Sequence, residues 1–256
     1  MDEEFWSNVL ESTMRLFVEP EVNRRLQAGQ IDQTWRLFAA QVIMNVGEPP
    51  QVRLNDEVTA VFKGTLPGAT PDSIGKTVSL SSLENIVDVQ LTADDTNAGH
   101  ITLLLHRGTW FISFDLRYNR ARIVEYLTTV DEFMAAARDA LEQKRLRVFV
   151  DNLLAAVEHL ARSLLLIHPD EDLLKKGSSH NLVQTRFNQH SRFGNVDARY
   201  SELLNRLWDL RKPARYMTRH FALGPEEAAE LLATAEDMRR AAEEQLPPRF
   251  LTPASG

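Results

Sequence analysis

The chain contains no cysteine among its 256 residues. That absence excludes disulfide bonds, thiolate nucleophiles and every zinc or iron–sulfur site built on sulfur. Long apolar runs are absent as well, because no stretch approaches the roughly 18 uninterrupted apolar residues of a membrane-spanning helix. The amino terminus reads Met-Asp-Glu-Glu-Phe-Trp and has no apolar signal segment. We therefore expect a cytoplasmic protein that does not enter a membrane.

The motifs of several enzyme classes are also missing. The seven histidines show no His-x3-His or His-Glu-x2-His spacing, so metal-dependent catalysis has no support in the sequence. Ser178-Ser179-His180 lacks the surroundings of a nucleophile elbow, and we find neither a glycine-rich phosphate loop nor an internal repeat. We predict no metal site and no cofactor.

Positive charge is concentrated in one segment, residues 175–220. This basic segment carries ten Lys and Arg against three acids, a net charge of +7, whereas the whole chain has a net charge of -7, which leaves -14 for the remainder. Overall acidity argues against a protein that coats nucleic acid generally, but a local basic face can still bind a polyanion because salt screens the distant charges. The basic segment is therefore where we expect a functional site.

The first half of the chain changes from a helical to a strand-like pattern. Apolar residues recur at helical spacing up to Phe17, Pro20 ends or redirects that helix, and a short helix should follow over residues 21–28. Across much of residues 34–116, apolar and polar residues alternate, which predicts an antiparallel sheet.

Turn signals divide this predicted sheet into hairpins. The polar run at residues 94–99 and the pair Arg107-Gly108 each predict a turn between consecutive strands, and residues 65–82 predict a loop.

A helical pattern continues from Asn119 towards the end of the chain. Asp131 is the predicted N-cap of the first helix, and Gly224-Pro225 the predicted start of the last. Between them, long helices are expected over residues 148–167 and 197–210, with a short one near 182–187. The pattern predicts a bundle of four main helices.

The end of the third long helix holds an unusual cluster of polar residues. Arg211 continues the apolar stripe of that helix, and Pro213 disfavours helical geometry at Lys212, so we predict that the helix ends or kinks there. The side chains gathered around this break would be Arg211, Lys212, Arg215, Tyr216, Arg219 and His220. Such a set suits a phosphodiester backbone, since Arg binds phosphate bidentately and Tyr stacks on bases.

Three helical stretches occur in a fixed order in this half of the chain. Residues 131–141 read Asp-Glu-Phe-Met-Ala-Ala-Ala-Arg-Asp-Ala-Leu, residues 150–166 are rich in alanine around a central Glu158, and residues 203–216 end in Leu-Arg-Lys-Pro-Ala-Arg-Tyr. In this order they resemble the HEPN domain, a nucleotide-binding helical bundle. The resemblance covers roughly half of the chain and does not include the predicted sheet.

The resemblance implies a particular site at the end of the third helix. In the family, an Arg, four to six residues and a His form a motif, and the Arg and His of paired subunits line a cleft that can cleave RNA without metal. Other members bind nucleotides or assist a nucleotidyltransferase. Here Arg211 matches the motif Arg, but Tyr216 occupies the His position and Lys212 replaces the usual Asn, Asp or His. Tyrosine, with a pKa near 10, is a poor general base at neutral pH, so ribonuclease activity stays open.

Several alternatives remain for individual residues. Arg215 and His220 also have four residues between them, which gives an offset motif beyond Pro213. His190 is a further possible acid–base group. Glu158 matches a polar position that the family often places inside the bundle, where it either pairs structurally with Arg211 or takes part in catalysis.

Taken together, these features predict an α+β protein with an N-terminal helix and antiparallel sheet domain (residues 1–120), a HEPN-like bundle of four to five helices (121–250) and a tail (251–256). The predicted function is RNA or nucleotide-phosphate binding by a homodimer in a prokaryotic defence or toxin system, with metal-independent endoribonuclease activity left open. Candidate catalytic residues are Arg211, Tyr216 and Glu158, and candidate nucleic-acid-binding residues are Lys212, Arg215, Arg219, His220 and Arg206. The alternative is a non-catalytic dimerising scaffold in which Arg211 is structural. The sheet domain is available for a protein partner.

Overall fold

A computed structural model describes residues 3–68, 82–92, 95–175, 179–216 and 221–246. The chain divides into two compact units, Met1–Leu116 and Arg117–Gly256. Each unit has its own hydrophobic core. The order of elements, with an N-terminal helix and antiparallel strands followed by a helical bundle, confirms the predicted α+β class.

The first unit begins with helical structure. Helix α1 (Glu3–Thr13) runs through a π-helical turn (Met14–Val18) into α2 (Glu19–Gln27). Pro20 lies in the first turn of α2 and does not end the helix as predicted, since Val18 and Glu19 before it keep helical backbone angles and the chain stays helical to Gln27. The chain leaves α2 at Gly29, whose φ of +66° suits glycine and marks the predicted stop.

Six strands follow and pair only in antiparallel fashion in the described chain. They are β1 (Ala39–Met44), β2 (Gln51–Leu54), β3 (Ala60–Thr65), β4 (Asn85–Leu91), β5 (Gly99–His106) and β6 (Thr109–Asp115). One sheet has the order β2-β1-β5-β6, and β3 pairs with β4 in a second. Arg107 and Gly108 have φ of 52° and 80°, which confirms the tight turn between β5 and β6. Of the predicted loop and polar turn, residues 69–81 and 93–94 lie outside the described residues.

The first unit is held together by apolar packing in one place and by polar contacts in another. Val18, Ala40 and Leu103 are buried between the helical segment and the four-stranded sheet. Elsewhere Arg53 forms a close ion pair with Asp95 at 2.6 Å and donates to Gln41 Oε1 at 3.3 Å. This unit therefore fills its interior without using the basic segment.

The second unit is a helical bundle. Its helices are α3 (Arg120–Glu142), α4 (Leu146–Leu166), α5 (Glu171–Leu174), α6 (His180–Arg192), α7 (Ala198–Tyr216) and α8 (Pro225–Glu244). Helix α4 is central, because twelve of its residues are buried and it packs against α3, α6, α7 and α8. The broad apolar face that predicts this helix from sequence is the face that these neighbours cover.

In the second unit, two predicted helix ends are wrong. Asp131 does not cap a helix, since α3 begins at Arg120 and Asp131 lies in its middle, where it forms an ion pair with Arg239 of α8 at 2.9 Å. Helix α7 does not end or kink at Lys212 but continues through Pro213 to Tyr216.

Tertiary contacts explain why α7 continues. Pro213 and Ala214 are buried in the bundle, and the Arg147 guanidinium of α4 donates hydrogen bonds to the carbonyl oxygens of both residues, at 3.1 Å for Ala214. These carbonyls belong to the last turn, where a helix offers them no internal partner. Proline still removes one N–H from the helix, but packing and this external donor outweigh the local preference.

No helix in the described part of the chain combines the length and the apolar character that crossing a bilayer requires.

Candidate functional site

Four side chains from three helices of the bundle meet, and we call them the Arg211 site: Glu158 of α4, His180 of α6, and Trp208 and Arg211 of α7. The Arg211 guanidinium lies over the Trp208 ring, 4.8 Å from its centroid. The Trp208 ring also makes an edge contact with the His180 ring, with centroids 5.8 Å apart. Trp208 therefore joins the cation of α7 to the histidine that begins α6.

Glu158 faces the histidine of this site. Its Oε1 lies 2.9 Å from His180 Nδ1, and its side chain is 17% exposed, whereas the His180 side chain is 61% exposed. Burial raises the pKa of the Glu158 carboxyl, while the charges of His180, Arg211 and Arg162 oppose that rise. The carboxylate is therefore on the inner side of the site and the imidazole on the outer side.

His180 owes its position to the start of α6. Ser179 is the N-cap residue, and its hydroxyl accepts a hydrogen bond from the Leu182 N–H at 3.2 Å. This cap makes His180 the first helical residue, where its ring reaches Glu158 on the neighbouring α4. Sequence reasoning missed both His180 and Trp208. The available signal was a Ser followed by a helical pattern, which the short predicted helix at 182–187 placed too late.

The described guanidinium groups near the end of α7 do not gather at one point. Arg206 forms an ion pair with Glu227 of α8 at 2.7 Å, and Arg215 forms one with Asp151 of α4 at 2.8 Å. At 100° per residue, Arg206 points about 140° away from Arg211 around the helix axis. The predicted cluster around a helix break is therefore absent from the described residues, because the break itself is absent.

The remaining predicted residues fall into two groups. Lys212 is exposed on α7, and Tyr216 is 65% exposed at its last residue, about 140° around the axis from Arg211. Arg211 and Tyr216 of one chain consequently face different directions. Arg219 and His220, and with them the offset motif, lie outside the described residues.

His190 lies within α6 rather than in a loop. Its ring centroid is 5.4 Å from that of His168, and it is about 15 Å along the helix axis from His180. Burial lowers the pKa of His190, and the nearby His168 adds to that effect. This histidine pair is therefore separate from the Arg211 site.

Ion pairs neutralise most of the basic segment. Five of its eight described cations reach carboxylates that lie outside the segment: Lys175 with Asp172, Arg186 with Asp170, Arg199 with Asp237, Arg206 with Glu227, and Arg215 with Asp151. Among the described residues, Arg192, Arg211 and Lys212 have no carboxylate within 4 Å. Arg211 is the only one of these three that is half-buried, since the other two are exposed.

Comparison with known families decides what this bundle is. A sequence model of the HEPN domain matches residues 124–245. The C-terminal unit is a HEPN domain. The match runs from α3 to just beyond α8, so all four residues of the Arg211 site lie inside the HEPN domain. No curated protein matches the chain.

Membership in this family sets the frame for the site. HEPN domains commonly dimerise and bind RNA, and they often have ribonuclease or nucleotide-related roles. In the described part of this chain, no three or more His, Asp or Glu side chains are grouped in a way that could hold a metal ion. What the HEPN domain does offer at the Arg211 site is a guanidinium, an imidazole and a carboxylate around one indole ring.

Proposed function

We propose that the HEPN domain binds the phosphate groups of RNA or of a nucleotide at the Arg211 site. One observation carries the proposal: the half-buried Arg211 guanidinium lies over Trp208 at 4.8 Å and has no carboxylate within ion-pair distance among the described residues. A guanidinium that is partly desolvated and not ion-paired attracts an anion strongly, and its planar donors match a phosphate.

The neighbours of Arg211 support an anionic ligand. Lys212 is exposed on the next position of α7 and adds a second positive charge. Trp208 provides an aromatic surface, and stacking of a base on such a surface contributes about 1–3 kcal/mol. Glu158 is the one acid of the site, and burial raises its pKa, which reduces its negative charge.

Other predicted residues take outer roles in this proposal. Arg215 is bound to Asp151 on the surface, and an exposed pair of this kind is worth only about 0–1 kcal/mol, so RNA phosphate can displace the carboxylate. Tyr216 presents an exposed ring at the end of α7 that can stack on a further base. Arg206 faces α8 and Glu227, so we assign it no direct contact.

A dimerising scaffold is the second candidate function. The observation in its favour is that Arg206 and Arg215 are already ion-paired and that Glu158 already has His180 as its partner. In this function the bundle forms a homodimer without binding RNA, and the Arg211 charge serves only to offset the buried Glu158. The defence or toxin context stays a prediction from the sequence.

Binding of fluorescent single-stranded RNA separates the two functions. We expect binding that weakens with salt, with a log–log slope of about -0.7 for each phosphate contact. Arg211→Ala should weaken binding about tenfold or more and lower the slope by about one contact, because it removes a charged, preorganised donor.

Arg192→Ala is the matched control, because Arg192 is an exposed arginine of the same domain with no carboxylate within 4 Å among the described residues. It should leave affinity unchanged, and circular dichroism should show that both variants keep their helices. Absence of RNA binding at micromolar protein, together with an intact dimer by light scattering, would favour the scaffold.

A further inference from the structure

An apolar groove of about 450 Å³ lies on the first unit, between the helical segment at its start and strands β5 and β6. Seven of its ten lining residues are apolar, and the seventh of these, Leu116, directly follows β6. The other six are Phe5, Val9, Leu16 and Phe17 from the helical segment and Ile101 and Phe114 from the strands.

The apolar side chains around this groove are not covered. All seven keep part of their surface exposed, and the exposed fraction reaches 58% for Leu16, 51% for Leu116 and 37% for Phe5. Single exposed apolar side chains are ordinary, whereas a group of them around one concave surface marks an interaction site. Leu16 and Phe17 also belong to the π-helical turn Met14–Val18, and such turns are rare and occur frequently at functional sites. Side-chain exposure and backbone irregularity therefore single out the same surface.

The charge around the groove selects its partner. Residues 1–116 contain sixteen acids and eight Lys and Arg, a net charge of -8, whereas residues 117–256 carry a net charge of +1. On α1, Glu4 and Glu11 are exposed and form no ion pair within the described structure. Arg15 is the only Lys or Arg in residues 1–23. A partner for this surface should therefore carry positive charge.

The shape of the groove fits a helix better than an extended peptide. It lies on a face of the four-stranded sheet beside α1, which is a position that a further helix can fill. An extended peptide would instead add to the edge of the sheet through its backbone. A helix that is apolar on one face and basic on the other would bury its apolar face in the groove and place Lys and Arg near the acids of α1.

We propose that this groove binds a basic amphipathic helix of a partner protein. The negative charge of the unit opposes the other occupants of an apolar groove, because it repels RNA, an anionic membrane surface and a second copy of the same unit. The proposal concerns the first unit alone, so it does not depend on phosphate binding at the Arg211 site.

The test uses the full-length protein and a labelled peptide about five helical turns long, with leucine on one face and lysine on the other. Fluorescence anisotropy should show binding that weakens with salt, whereas a counterpart with glutamate in place of lysine should not bind. Leu16→Ser should weaken binding of the lysine peptide about tenfold, because the groove loses one large apolar contact. Glu4→Gln combined with Glu11→Gln should slow association of the lysine peptide and reduce its dependence on salt.

Val87→Ser is the matched control, because Val87 is an apolar residue of β4 that is 72% exposed and lies outside the groove. It should leave affinity for the lysine peptide unchanged, and circular dichroism should show that both serine variants keep the wild-type secondary structure. Arg211→Ala should bind the lysine peptide as the wild type does, whatever its effect on RNA binding. This last variant separates the inference from the proposed function.

Several results would overturn the inference. No binding of the lysine peptide at high micromolar protein, or an equal loss in Leu16→Ser and Val87→Ser, would show that the groove is not the site. Equal binding of the glutamate peptide would contradict selection by charge. A dimer, or adhesion to anionic vesicles, that Leu16→Ser abolishes would assign the groove to a second copy or to a membrane instead.

Discussion

The burial of Glu158 in this bundle costs free energy of folding. Its carboxyl is mostly buried, and burial of a charged group disfavours its ionised form. The positive charges of His180, Arg211 and Arg162 offset only part of that cost, because the pKa of Glu158 is still raised. A position that costs stability yet lies beside a histidine and near an arginine without a carboxylate within 4 Å among the described residues fits a functional role better than a purely structural one.

The raised pKa of Glu158 leads to a stability prediction. The Glu158 carboxyl keeps its proton to higher pH in the folded protein than in the unfolded chain. Its contribution to stability is therefore fully present below the unfolded pKa of about 4.3 and is lost as the pH rises through the folded pKa. Glu158→Gln stays neutral and should lose less stability than the wild type between about pH 4 and pH 7. Urea unfolding across this range measures the difference.

Glu132→Gln is the control for that series, because Glu132 is an exposed acid on α3. Its unfolding free energy should follow the wild type at each pH. Equal pH dependence in the wild type and in both variants would contradict the buried carboxyl.

His159 leads to a prediction of the opposite sign. Its ring lies near Tyr126 and Phe133, with centroids 5.3 and 6.0 Å away, and burial, Arg162 and His180 lower its pKa. The contribution of His159 to stability is fully present above the unfolded pKa of about 6.5 and is lost as the pH falls through the lower folded pKa.

His159→Phe should therefore resist acid better than the wild type, which thermal melts at about pH 7 and pH 5 can test. Glu132→Gln, which alters an exposed acid of α3 and leaves every histidine in place, should follow the wild type on acidification. A His159→Phe protein that loses as much stability as the wild type would contradict the prediction.

Among the helices, α7 differs most from its sequence-based prediction. Pro213 is a strong local stop signal, yet the helix continues to Tyr216 because Pro213 is buried and Arg147 satisfies the carbonyls behind it. Arg147 also lies over the Phe221 ring, 4.7 Å from its centroid. One side chain of α4 thus contacts both the end of α7 and Phe221.

Arg147→Met should therefore destabilise the end of α7 while keeping the aliphatic part of the side chain. We expect a loss of about 1–2 kcal/mol in the free energy of unfolding, the lower part of the range for charged donors because Arg147 is largely exposed. Hydrogen exchange should accelerate in the last turn of α7. Arg122→Met, at an exposed position of α3, should change neither quantity.

In the elements that could be predicted, the local sequence pattern agrees with the burial that the folded structure shows. The apolar face of α4 and the turn at Arg107-Gly108 are examples. The start of α3 was misplaced because Asp131 has the residue type of an N-cap but lies in the middle of the helix, whereas the N-cap residue, Asn119, makes no side-chain cap hydrogen bond. The end of α7 was missed because its partner, Arg147, is distant in sequence.

The site was partly predictable for the same reason. Glu158 and Arg211 follow from the family resemblance, and they do influence each other electrostatically across α4 and α7. His180 could not be found in this way, because only the packing of α6 against α4 brings it to Glu158. The predicted group of cations depended on a helix break, and one of its described members, Arg215, instead forms an ion pair with Asp151 of α4.

At the scale of the whole molecule, the division into two units leads to a further prediction. The core of the second unit consists only of residues beyond 116. A domain with its own core can fold alone, so a fragment of residues 117–256 should be helical by circular dichroism and should unfold cooperatively on heating. A fragment that melts without a cooperative transition would contradict the independence of this unit.

The pairing of Arg206 with Glu227 also has a consequence for the protein while it is being made. The two residues are 21 positions apart in the chain, and the arginine is incorporated first. At typical translation rates of about 5–20 residues per second, its guanidinium waits about 1–4 s for its carboxylate. During that interval the nascent polypeptide carries a positive charge that the finished protein neutralises, next to a ribosome whose own RNA is the nearest polyanion.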